Sequence, residues 1–134
     1  MKRLILQILA KILPIQTAYA HCDLPCGVYN PLQARIEAES ILNIMKKYQE
    51  SKDEVFKIRA ILIKEERAEL VKYHLWVLWT DYFKPEHAER FPQLHDLFWR
   101  ATKLAGQTKK SVDPKDGEKL LDLIDEIDDI FKKN

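Results

Sequence analysis

The stretch DPKDGEKLLDLIDEIDDIF, residues 113–131, decides the fold. Asp113 is a side chain that accepts from the open N–H groups of a helix start. Pro114 suits the first helical position, where its missing N–H would have had no partner. Behind them Leu120, Leu123, Ile124, Ile127, Ile130 and Phe131 recur three and four residues apart, which lines one face of a helix. Asp122, Asp125, Glu126, Asp128 and Asp129 fall between them and read as its solvated face. A helix that is apolar along one side only needs other helices, or a sheet, to cover that side.

The rest of the chain offers helices. Asn30 and Pro31 form a second cap-and-proline start, followed by the seam Ala34, Ala38, Ile41, Met45 and Tyr48. Ser51 and Glu54 have capping-box spacing and open a segment running to about Phe83, where Pro85 stops it. Ile61, Ala68, Val71, Leu75, Leu78 and Tyr82 draw its apolar line. Some thirty residues would reach about 45 Å at the helical rise, so a kinked or broken helix is expected there. A further segment runs from Pro92 to Gly106, with Leu94, Leu97, Phe98, Ala101, Leu104 and Ala105 on one face. Trp76, Trp79 and Trp99 are assigned to the core or to a subunit contact, and Tyr73, Trp76 and Phe83 to exposed aromatic contacts. No strand alternation, dinucleotide fingerprint or phosphate loop interrupts the pattern. The expected fold is all-α, an antiparallel four-helix bundle over residues 30–134.

Before the helices lies a different kind of sequence. Lys2 and Arg3 precede an apolar stretch from Leu4 to Ile15, and Ala18-Tyr19-Ala20 forms a small-x-small end. That order is the pattern of a cleaved leader, expected over residues 1–20, although Gln7 and Lys11 interrupt it. The stretch is too short for a permanent membrane span. An amphipathic helix belonging to the final fold is the alternative. A lipoprotein site is excluded by the bulky His21 before Cys22. Losing Lys2, Arg3 and Lys11 takes the formal charge from +1 to −2. No basic stripe with interleaved aromatics then points to nucleic acid.

Cleavage after Ala20 would leave HCDLPCGVY, residues 21–29, at a free N-terminus. An amine, an imidazole and two thiols, the donors of this segment, are all metal-ligand types. Pro25 fixes one dihedral and Gly27 allows a sharp exit, so Cys22 and Cys26 can fold back on one ion. The His21 amine, the Cys22 amide nitrogen and both sulfurs can share a plane, and planar nitrogen and sulfur suit Ni(II) or Cu(II). Zinc prefers a tetrahedral set of side chains, which the segment lacks. The His21 imidazole would approach from above the plane.

The string His-Cys-x-x-Pro-Cys-Gly-x-Tyr behind a processing site resembles the nickel hook of nickel-containing superoxide dismutases, and the helical chain behind it resembles that family in length. The resemblance implies one nickel ion per subunit, held by His21, Cys22 and Cys26, and disproportionation of superoxide to dioxygen and hydrogen peroxide. It places Pro25 after a cis peptide bond and Asp23 in support of the hook. It implies that Tyr29, with Tyr82 behind it, stands beside the open face as the catalytic pair. It also implies that Glu37 bonds to the hook histidine and that Arg67 from a neighbouring subunit orients it. Asn30 departs from the aspartate often found at that place in the family. The resemblance also implies a homohexamer and a peptidase that removes the leader. Lys84 is a candidate for attracting the anionic substrate, and an ordinary surface lysine is the competing reading.

Another function class stays open at this level, a structural or metal-carrying bundle in which Cys22 and Cys26 form a disulfide. His74, His87 and His95 have no paired ligand spacing and are assigned to the surface or core edge. Reduced thiols favour the cytoplasm, and the leader's shape favours export to the periplasm.

Overall fold

The computed structural model describes residues 26–134. Five α-helices follow one another: α1 (Leu32–Glu50), α2 (Glu54–Val77), α3 (Pro85–Arg90), α4 (Leu94–Lys110) and α5 (Pro114–Lys132). Helix α1 packs on α2 and α5, and α4 packs on α2 and α5, which closes a ring of four long helices. The four-helix bundle expected from the apolar stripes is therefore present, with α3 as a short addition in the connection between α2 and α4. There is no strand among the described residues.

Each start has a local cause. The Asn30 side chain accepts from Leu32 N at 2.9 Å, beside Pro31, as the cap-and-proline reading expects. Asp113 Oδ1 accepts from Lys115 N at 3.0 Å. Helix α2 departs from expectation: Asp53, not Ser51, caps it, accepting from Val55 N and Phe56 N at 2.9 and 3.3 Å. Ser51 Oγ accepts instead from Asp53 N at 3.1 Å and braces the cap residue.

The core is built from Ala34, Ala38, Ile41 and Met45 of α1, Ala68, Val71 and Leu75 of α2, Leu94, Leu97, Phe98, Ala101 and Ala105 of α4, and Leu120, Leu123, Ile124, Ile127 and Ile130 of α5. Leu104 and Phe131 pack against it only partly buried. Helix α4 runs through Gly106 to Lys110, since a single glycine weakens a packed helix without ending it.

Two corrections concern the second segment. Ile61 is 38% exposed, and its expected place in the core line is taken by Ala60 and Lys64. A residue one position from the true stripe is turned about 100° away on a helix. Phe83 is buried, not an exposed contact residue. Its ring packs edge-on against Phe98 at 5.5 Å. Of the tryptophans, Trp79 packs on the core and Trp76 and Trp99 are exposed.

The break expected in the second segment is a π-helical turn, Leu78–Tyr82, closed by a bond from Phe83 N to Leu78 O at 3.0 Å. The wider turn shifts the side-chain register by one residue. Leu78 and Phe83 thereby both point to the core while Tyr82 sits at its edge.

Candidate metal centre and its rim

His21, Cys22, Asp23 and Pro25 lie outside the described residues. What the structure describes is the exit of the hook. Cys26 is an exposed free thiol. Its sulfur accepts from Val28 N at 3.5 Å, so the chain turns tightly around it. Gly27 makes that turn at φ +69°, in the left-handed region that a side chain disfavours.

Past the turn, Gly27 and Tyr29 meet Asp81, Tyr82, Lys84 and His87 around an open pocket of about 430 Å³. Residues from the hook exit, the π-turn and α3 thus form one rim. Three residues selected in the sequence, Tyr29, Tyr82 and Lys84, come together here. The rings of Tyr29 and Tyr82 lie 5.7 Å apart and tilted. Tyr82 is held on its other sides by Phe131 at 4.7 Å and Phe83 at 4.9 Å. The ends of α1, α2 and α5 are therefore fastened together at the tyrosine that faces the pocket.

Lys84 brings a positive charge to the rim, but Asp81 brings a negative one, so the rim is not a one-sign funnel. The Asp81 carboxylate accepts from Thr80 Oγ1 at 3.0 Å.

Glu37 and Arg67 are not part of this rim. They face each other across α1 and α2 in the same chain, with Arg67 Nη1 at 3.2 Å from Glu37 Oε2. Arg67 also reaches Glu66 at 3.1 Å. Its Nε is buried without an acceptor among the described residues. Both members of the pair are thus supplied by a single chain.

Reasoning from sequence missed His87 and Asp81. A signal for His87 was present: it stands three residues after Lys84 with Pro85 between, the place where an acceptor side chain closes a capping box. His95 touches Trp79 at 5.8 Å and stays outside the rim.

No group of three or more His, Cys, Asp or Glu side chains among the described residues is placed to hold a metal. The donor chemistry still fits nickel, because Cys26 presents an accessible thiol on the turn that leads, through Gly27, into the pocket with the Tyr29 and Tyr82 rings. An all-α bundle preceded by a tight turn with an accessible thiol has the build of a small helical metalloprotein.

Comparison with known proteins agrees. Residues 16–134 match the family described as nickel-containing superoxide dismutase. The chain is 58% identical over 112 residues to the nickel superoxide dismutase of Streptomyces seoulensis, covering 84% of this chain and 86% of that one. It is 53% identical over 118 residues to that of Streptomyces coelicolor, covering 88% and 90%. A crystal structure of nickel-containing superoxide dismutase with ligation corresponding to the oxidised state superposes with a TM-score of 0.82 at 57% identity, covering 84% of this chain and 97% of that chain. This chain belongs to the nickel-containing superoxide dismutase family.

Proposed function

We propose that the chain disproportionates superoxide, two superoxide ions and two protons giving one dioxygen and one hydrogen peroxide, with one nickel ion per subunit. The observation that carries this reading is the exposed Cys26 thiol on the tight turn directly before Gly27, which lines one pocket with Tyr29, Tyr82 and Lys84. His21 through its amine and imidazole, Cys22 through its amide nitrogen and thiolate, and Cys26 through its thiolate would hold the ion. Bound there, nickel supplies a one-electron couple between its divalent and trivalent states, which anionic sulfur and nitrogen donors bring into reach.

The chain's own residues do the rest. Val28 N–H donates to the Cys26 sulfur and tempers its electron donation, as hydrogen bonds to ligating sulfurs do. Tyr29 and Tyr82 narrow the approach so that a small anion enters and bulkier reductants do not. Lys84 stabilises that anion inside the pocket. Asp23 and Pro25 shape the hook. The Glu37–Arg67 pair receives the imidazole of a neighbouring subunit's hook, its ring N–H donating to the Glu37 carboxylate that Arg67 holds at 3.2 Å.

That last role needs an assembly, and we propose a homohexamer. Its support is the apolar surface left uncovered in one chain: Leu32 and Ile36 on α1, and Val55, Ile58 and Leu62 on α2. We further propose that residues 1–20 are a leader removed by a peptidase, that residues 21–29 form the hook, and that the protein works in the cytoplasm. No helix among the described residues is long and apolar enough to cross a membrane.

Electron paramagnetic resonance of the processed, nickel-loaded protein, with its N-terminus at His21 verified by mass, tests the reading. A rhombic Ni(III) signal split by one axial nitrogen is expected. A silent protein that holds no nickel and carries a Cys22–Cys26 disulfide would overturn it in favour of a structural bundle.

A further inference from the structure

The rim of the pocket contains a histidine to which the reading above gives no work. His87 Nδ1 accepts from Lys84 N at 3.0 Å, and His87 N donates to Lys84 O at 2.9 Å. The two bonds close a ring around Pro85. The first is one arm of a helix-start box, with an imidazole where a glutamate or glutamine side chain ordinarily sits, and the second is an ordinary backbone turn bond. The same imidazole lies parallel to the Tyr82 ring, 5.9 Å away at 12°, and edge-on to Phe83 at 5.7 Å. One side chain therefore touches the backbone that carries Lys84 and the ring of Tyr82, and all three line the pocket.

The segment it braces needs bracing. Between the π-turn and α3 only Phe83 and Lys84 connect two helices of different geometry, and both have extended backbone, Phe83 at φ −72°, ψ 139° and Lys84 at φ −121°, ψ 166°. Phe83 is anchored in the core, but Lys84 is exposed and Pro85 has no N–H to tie it. The only side-chain bond to this linker backbone among those described is the one His87 accepts.

We infer that His87 is a positioning residue: it fixes the Lys84 backbone and the face of Tyr82, and so sets where the cation and the phenol stand at the pocket that admits substrate. The inference rests on the dismutase reading for the word substrate, and on the structure alone for the bracing.

The test uses the processed full-length protein, nickel-loaded, as parent, His87→Ala, His87→Gln and His87→Phe. Glutamine can accept the Lys84 N–H and has no ring, whereas phenylalanine keeps a ring and accepts nothing. Hydrogen exchange of the Lys84 amide should quicken about fivefold to tenfold in His87→Ala and His87→Phe, the scale of one lost hydrogen bond, and recover in His87→Gln. On the same scale kcat/KM should fall about fivefold in His87→Ala and be largely rescued in His87→Gln. The double variant His87→Ala, Lys84→Ala should lose less than the product of the two single losses, because His87 acts in part through Lys84. Unchanged Lys84 exchange in His87→Ala, no recovery in His87→Gln, or losses in the double variant that multiply would each overturn the inference. Should the parent lack dismutase activity, the dismutase reading fails and the exchange measurement still decides the bracing.

Discussion

Arg67 Nη1 lies 3.2 Å from Glu37 Oε2, a contact that joins α2 to α1 within one chain. The resemblance to the family had placed Arg67 on the far side of a subunit boundary from Glu37. The pairing makes the two side chains a single unit, and neither of them lines the Tyr29–Tyr82 pocket. Loss of turnover on breaking the pair would be the mark of the imidazole-holding role proposed above.

Replacing Glu37 by Gln, or Arg67 by Ala, should therefore reduce dismutase turnover about 10- to 100-fold, the usual loss when the partner of a metal-ligating histidine is removed. Helicity by circular dichroism should be unchanged. The axial nitrogen splitting in the Ni(III) spectrum should weaken or disappear, which separates loss of imidazole placement from loss of nickel.

Cys26→Ser should abolish nickel binding while leaving the bundle intact. The thiol is exposed, and among the described residues its hydrogen bonds run only to Val28 two residues away, so the core does not register its loss. Metal analysis should find no stoichiometric nickel. Thermal unfolding of the variant and the parent, both metal-free, should coincide within about 0.5 kcal/mol, as for surface substitutions in general.

Lys64 is the buried cation of the fold, 2% exposed, donating through Nζ to the carbonyls of Thr108 and, at 2.9 Å, Lys109. It satisfies the open carbonyls at the end of α4 from a neighbouring helix. Lys64→Met keeps the stem's volume and strands those carbonyls, and should cost about 1–3 kcal/mol in denaturant unfolding. Burial pushes the Lys64 ammonium down, and the nearby Glu65 opposes that shift. A base with a lowered folded value binds fewer protons folded than unfolded in the window between that value and the ordinary one. Its contribution to stability therefore rises with pH across the window. The stability difference between parent and Lys64→Met should widen in the parent's favour as pH climbs toward 10.5, the ordinary lysine value.

The two helical glycines should respond oppositely to alanine. A methyl at Gly106 meets nothing within 4 Å, so Gly106→Ala should stabilise by about 0.5–1 kcal/mol through helix propensity. A methyl at Gly117 would lie 3.1 Å from the Cα of Leu42, where α5 crosses α1. Backbone cannot yield as a side chain end can, so Gly117→Ala should lower the unfolding midpoint despite the same propensity gain. Paired thermal melts decide both signs.

Much of this protein could be read from its residues because the governing physics is local. Caps such as Asn30 and Asp113, prolines at first helical positions and three-four apolar spacing act within a turn or two, and they set four long helices and one face of each. The donors of the expected hook could be picked out for the same reason, since they lie within a few consecutive positions. Tertiary structure decided what depends on partners distant in sequence. Lys64 could enter the core line because carbonyls 44 and 45 residues away were there to receive its charge, and no window of sequence contains that fact. The π-turn moved Tyr82 one register off the helical pattern and gave Phe83 to the core, since packing across to Phe98 and Phe131 outweighs regular helix geometry. The rim itself exists only where the ends of α1, α2 and α5 meet α3. A pocket is a property of several segments brought together, and burial of apolar surface between those segments is what brings them.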